Sequence, residues 1–107
     1  MNLARRARIE AMLLEEPGDV FLRYSLAHEM ASAQEFEPCL QLLGQLCEEL
    51  PPYVPAFFRS AQILVELDRI ESAREFLRSG IETARTQGDL HAAAEMSELL
   101  SELGVRG

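Results

Sequence analysis

Two cysteines, two histidines and 18 acidic side chains are this chain's supply of nucleophiles, bases and metal ligands. Cys39 and Cys47 stand eight residues apart in one helical stretch. At ~1.5 Å of rise per residue their Cα atoms lie ~12 Å apart, beyond the ~7 Å that a disulfide bridges. Two reduced thiols fit a cytoplasmic protein. Either thiol would need exposure and a basic neighbour to act as a nucleophile. His28 adjoins Glu29, but adjacent residues of a helix point in different directions and make no relay pair. The glutamates at 48, 49, 71, 75, 95, 98 and 102 read as solvated helix faces, not as a metal cluster. No GxSxG, HExxH, CxxC or glycine-rich phosphate loop occurs. The expectation is no enzyme, no cofactor and no metal.

Composition narrows the class further. At 107 residues and 48% apolar, the chain supports one domain or a short repeat array. The net charge is −8, and every basic residue is an arginine. Such a field repels phosphate backbones, which argues against nucleic acid as a partner. Arg5, Arg6 and Arg8 form a basic cluster, but Glu10, Glu15 and Glu16 follow at once, so it reads as a solvated face. Wholly apolar runs reach only three or four residues, against about 20 for a membrane span. No secretory signal is read either.

The elements that must position these groups are all helical. Apolar residues recur at helical spacing from end to end, with no strand-length alternation. Six helices are expected, at about 2–15, 20–33, 36–50, 54–67, 70–87 and 90–103. The first has two candidate stripes, Leu3, Ala7, Ala11 and Leu14 or Ile9, Met12 and Leu13. Pro17-Gly18, Pro51-Pro52 and Gly88-Asp89 interrupt the pattern, and Asp19 stands where a side-chain oxygen caps the second helix. Short connections make neighbouring helices antiparallel.

A shift of 34 residues lays Pro17 on Pro51, Tyr24 on Phe58, Ala27 on Ala61 and Met30 on Leu64. It also lays Phe36 on Ile70, Cys39 on Ala73, Leu43 on Leu77 and Cys47 on Ile81. Small falls on small and large on large, as stacked helix pairs require. The stretches "RYSLAHEM…EFEPCLQLL…ELPP" and "FFRSAQIL…RIESAREFL" resemble the tetratricopeptide repeat, over roughly residues 17–103. The signature tryptophan of helix A is replaced by Arg23 and Phe57, and the turn glycine by Gln34 and Asp68. Cys39 takes the repeat's small buried position. The resemblance implies an all-α fold of antiparallel helix pairs in one domain spanning 1–107. Its parts are an N-terminal capping helix (1–16), repeats at 17–52 and 53–87, and a C-terminal capping helix (88–103). Gly80 stands where a small residue allows tight helix contact.

The resemblance further implies a concave groove that binds a peptide or helix of a partner protein. Its positions fall on Phe21, Tyr24, His28 and Ala31 in the first repeat, and on Pro55, Phe58, Arg59, Gln62 and Val65 in the second. Tyr24 and Phe58 as plain core residues remain the alternative. The lysine and asparagine that grip a C-terminal carboxylate in well-known members have no counterpart, since lysine is absent and the one asparagine is Asn2. Arg59 and Arg23 could hold an acidic group bidentately or pair with nearby glutamates. A second reading is a self-associating scaffold, a homodimer through end helices, with Leu99, Leu100 and Leu103 as the exposed face.

Overall fold

The structure, a computed structural model, describes residues 3–106. Among them are six α-helices and no strand: α1 (Leu3–Glu15), α2 (Val20–Ser32), α3 (Phe36–Cys47), α4 (Val54–Glu66), α5 (Ile70–Thr86) and α6 (Leu90–Arg106). The Asn2 end of the first expected helix lies outside the described residues. Two boundaries differ from the sequence reading. α3 stops at Cys47, because the residue before a proline is driven out of helical geometry. The Leu46 carbonyl then accepts the Tyr53 N–H at 3.0 Å, and Leu50, inside the expected third helix, is 96% exposed. α6 runs on through Gly104, since a glycine ends a helix only where the chain turns left-handed. That turn occurs instead at Gly88 (φ 77°), after α5.

The other ends follow local chemistry. Asp19 Oδ1 accepts the Leu22 N–H at 2.9 Å and Asp89 Oδ1 accepts the Ala92 N–H at 3.1 Å, each satisfying a free amide of a first turn. Pro55 sits in the first turn of α4, where a missing N–H costs little. Gln34 and Asp68, at the repeat's glycine positions, adopt the left-handed conformation at φ 60° and 59°. Behind them the Glu35 and Arg69 N–H groups bond back to the Met30 and Leu64 carbonyls, closing each helix in the six-to-one pattern of a glycine cap.

Consecutive helices pack on one another, and α6 also touches α4. One cluster joins α2, α3 and α4 through Ala27, Ala31, Cys39, Leu43, Leu46, Ala56 and Ile63. The other joins α4, α5 and α6 through Phe57, Ala61, Leu64, Ala73, Leu77, Ile81, Met96 and Leu103. α4 therefore feeds both cores from different faces. Gly80 lies against Met96 and Phe57, where an added Cβ would come within 2.7 Å of Phe57 Cβ. α1 uses its second stripe in part: Ile9 is buried and Leu13 half-buried but Met12 is 49% exposed, while Leu3 and Leu14 of the first stripe are 68% and 85% exposed. The other end is closed, because Leu103 is wholly buried and Leu99 and Leu100 are partly so.

Candidate functional site

The A-type helices α2, α4 and α6 present their unburied sides to a shared groove. One cavity of about 260 Å³ is lined by Tyr24 of α2, Phe58, Arg59 and Gln62 of α4, and Ala92, Glu95 and Met96 of α6. An adjoining cavity of about 360 Å³ lies between Phe58, Gln62 and Val65 on one wall and Glu95, Glu98, Leu99 and Glu102 on the other. Phe58, Val65 and Leu99 are each half-buried. Helical spacing explains the convergence: 58, 62 and 65 recur every three to four residues of α4, and 95, 98, 99 and 102 do the same on α6.

Tyr24 sits edge-on to His28, with ring centroids 4.7 Å apart, and to Tyr53 at 5.2 Å. Burial raises the Tyr24 phenol above its usual range, with Tyr53 adding and Arg59 opposing. Partial desolvation and the positive charge of Arg59 lower His28 below its ordinary value, against a weaker pull from Glu29. Arg59 reaches Gln62 Oε1 from Nη1 at 3.5 Å, and its Nε is buried without a hydrogen-bond partner. Among the described residues Arg59 forms no ion pair. Arg23 does: its Nη1 lies 3.3 Å from Glu49 and it is 15% exposed, so it is committed to joining α2 to the end of α3.

Of the residues the sequence nominated, the structure brings Tyr24, Phe58, Arg59, Gln62, Pro55 and Val65 to the groove, with His28 against Tyr24. Two fall elsewhere. Ala31 is buried in the first core. Phe21 is 69% exposed and lines an adjoining depression of about 470 Å³ with Val20, Leu50, Pro51 and Tyr53, which shares Val54, Pro55 and Asp89 with the groove cavity. The α6 wall went unnominated. Its signal was Leu99 embedded among Glu95, Glu98 and Glu102, an apolar residue inside an otherwise acidic face.

The arrangement suits binding better than catalysis. Burial pushes the Cys47 thiol up to about 12 and raises Cys39 as well, and both are free. Cys39 Sγ donates to the Ala27 carbonyl at 3.2 Å, an interior contact. No group of three or more His, Cys, Asp or Glu is gathered for a metal among the described residues. His91 lies on the surface beside Glu95 at 3.4 Å.

No family model and no curated protein matches the chain. Solved structures do. The solution structure of a tetratricopeptide repeat domain protein from Salinibacter ruber is 30% identical, covers 81% of this chain and 88% of its own, and superposes with a TM-score of 0.76. A crystal structure of a tetratricopeptide repeat domain protein from the same organism is 29% identical over 80% of this chain and 96% of its own, with a TM-score of 0.72. A Bordetella parapertussis protein, 24% identical, covers 99% of this chain and 90% of its own at a TM-score of 0.82, which bears on the fold alone. This fold generally mediates protein–protein interaction and is typically not catalytic. Paired helices that repeat at 34 residues, size-matched core positions and a bacterial structural relative at 30% identity agree, and the chain belongs to the tetratricopeptide repeat family.

Proposed function

We propose that this chain is a non-catalytic binding module whose α2–α4–α6 groove holds a peptide or helix of a partner protein. The observation that carries it is Phe58, Val65 and Leu99, left half-buried around a cavity of about 360 Å³. Apolar side chains placed around a concavity with a few polar groups favour a ligand over bare water. Gln62 and the unpaired Arg59 supply the polar contacts. An affinity near micromolar, about −8 kcal/mol, suits a groove of this size. Two free thiols are compatible with a cytoplasmic setting, which is part of this reading. No described helix is long and apolar enough to cross a membrane.

The test is a pull-down from the source cells with wild type and Tyr24→Ala/Phe58→Ala, read by mass spectrometry. Because both aromatics also contact the core, Gln62→Arg serves as a second variant that obstructs the groove without removing a core side chain. A protein recovered by wild type and lost with both variants supports the groove. Equal recovery refutes it.

A second reading, homodimerisation, is favoured by α1 and not by α6 as first expected. Leu3, Met12 and Leu14 are exposed there, whereas Leu103 is wholly covered. Light scattering across a dilution series decides it, and a monomer at every concentration would end this reading.

A further inference from the structure

Among the described residues six large apolar side chains are exposed: Leu3, Met12, Leu14, Phe21, Leu50 and Leu90. Four of them, Leu14, Phe21, Leu50 and Leu90, belong to the turns that lead from a B-type helix into the next A-type helix. In a stack of antiparallel pairs these turns all lie on one edge, away from the α4–α6 cavity. The exposed prolines Pro17 and Pro51 sit on the same edge, and Pro55 stands where the edge meets the groove. Packing does not require these side chains. Leu50 touches neither core and is 96% exposed, and Phe21 is 69% exposed at the mouth of a depression of about 470 Å³. The floor of that depression is held in shape, because Gln87 Nε2 donates to the Pro52 carbonyl at 2.8 Å and the Tyr53 N–H to Leu46.

The charge on this edge has one sign. The turn segments 14–21, 48–55 and 87–90 contain Glu15, Glu16, Asp19, Glu48, Glu49 and Asp89, and no lysine or arginine. Among the described residues only Glu49 of these forms an ion pair, with Arg23. A second copy of the chain would bring two such edges and two charges of −8 together, which disfavours self-association there. Apolar knobs in an acidic surround select a partner with apolar residues among basic ones.

We propose that the inter-pair turn edge is a second binding surface, meeting the groove only at Val54, Pro55 and Asp89. It takes a partner protein segment in which leucine- or phenylalanine-like side chains are flanked by lysine or arginine. Phe21, Leu50 and the rigid Pro51-Pro52 turn receive the apolar side chains, and Glu16, Glu48 and Asp89 face the cations.

A displayed random library of 12-residue peptides, selected on the folded full chain, tests this. The expected enrichment is for one or two large apolar residues beside at least two basic ones. Synthetic winners should bind Phe21→Ser/Leu50→Ser and Glu16→Lys/Glu48→Lys at least tenfold more weakly than wild type. Binding should weaken with added salt and be unchanged in Gln62→Arg. Glu16, Phe21, Glu48 and Leu50 are exposed and Gln62 is half-buried, and unfolding temperatures near wild type verify the fold of each variant. Winners that lose binding in Gln62→Arg and not in Phe21→Ser/Leu50→Ser would overturn the edge and support the groove. Acidic winners, or no enrichment at all, would overturn it as well.

Discussion

Gly80 and Gly44 lie in neighbouring B-type helices and are opposite cases. At Gly80 an added methyl would stand 2.5 Å from Met96 Sδ and 2.7 Å from Phe57 Cβ. The methionine can swing aside, but the phenylalanine Cβ is fixed to its backbone. Gly80→Ala is expected to cost about 1–3 kcal/mol of overpacking, more than the ~1 kcal/mol of helix propensity it gains. At Gly44 nothing lies within 4 Å, so Gly44→Ala should stabilise by ~0.5–1 kcal/mol. Chemical denaturation of the two variants should therefore give shifts of opposite sign. His28 supplies a pH prediction. Its pKa in the folded chain lies below the ordinary 6.5, so the unfolded chain binds the proton more readily. The stability it contributes is fully present above about 6.5 and is lost as pH falls through the folded value. NMR titration should find the ring below 6.5, and Arg59→Gln should move it upward.

At the scale of the element, α1 and α4 mark the extremes of attachment. α4 buries Val54, Ala56, Phe57, Ser60, Ala61, Ile63 and Leu64, whereas α1 buries Ile9 alone. Leu13 adds half-buried packing, and the rest of what holds α1 is electrostatic. Arg6 donates to both Glu35 oxygens, at 2.7 and 3.1 Å, and Arg5 lies 3.6 Å from Glu29. The Arg6 hydrogen bond holds the Glu35 carboxyl below its usual range. Each pair has one covered partner, Glu29 or Arg6, and one more exposed, so it remains open to screening by salt. Local opening follows the number of apolar contacts, so hydrogen exchange should be fastest in α1 and slowest in α4. Ile9→Ala, losing about 2–4 kcal/mol of local packing, should raise exchange in α1 while α4 and α5 stay protected. Uniform loss across all the helices would contradict this account.

Over the whole molecule, a 41 × 29 × 18 Å body is too thin to hide every helix face. Each helix meets mainly its sequence neighbours, which is the behaviour of a repeat array, with stability built from units and the interfaces between them. Two interfaces share α4, and Leu40 and Cys47 pack against both clusters. The two repeats are thereby tied into one cooperative block. Ile63→Ala in the first core and Leu77→Ala in the second should each cost ~2–5 kcal/mol, and both should lower a single unfolding transition. Two separate transitions, one sensitive to each substitution, would show that α4 does not couple the repeats. Binding at a groove between α2, α4 and α6 should raise that one midpoint by mass action.

Period, helix number and the small-on-small matching of Cys39 with Ala73 and of Ala27 with Ala61 were legible in the sequence, because they are local or repeat at a fixed spacing. Tight contact at Gly80 was legible for the same reason, whereas the sequence marked Gln34 and Asp68 only as replacements of a turn glycine and the structure showed their left-handed turns. Tertiary structure alone decided which α1 stripe faces inward, since both have helical spacing and only α2 can select between them. It alone separated Phe21 from Tyr24, three residues away on α2: the first turn of the helix opens on the edge, and the next turn on the groove. It also supplied the α6 wall. Leu99 and its flanking glutamates acquire meaning only once α6 lies across from Phe58 and Val65, and that contact joins residues too far apart in the chain for any local pattern to reveal.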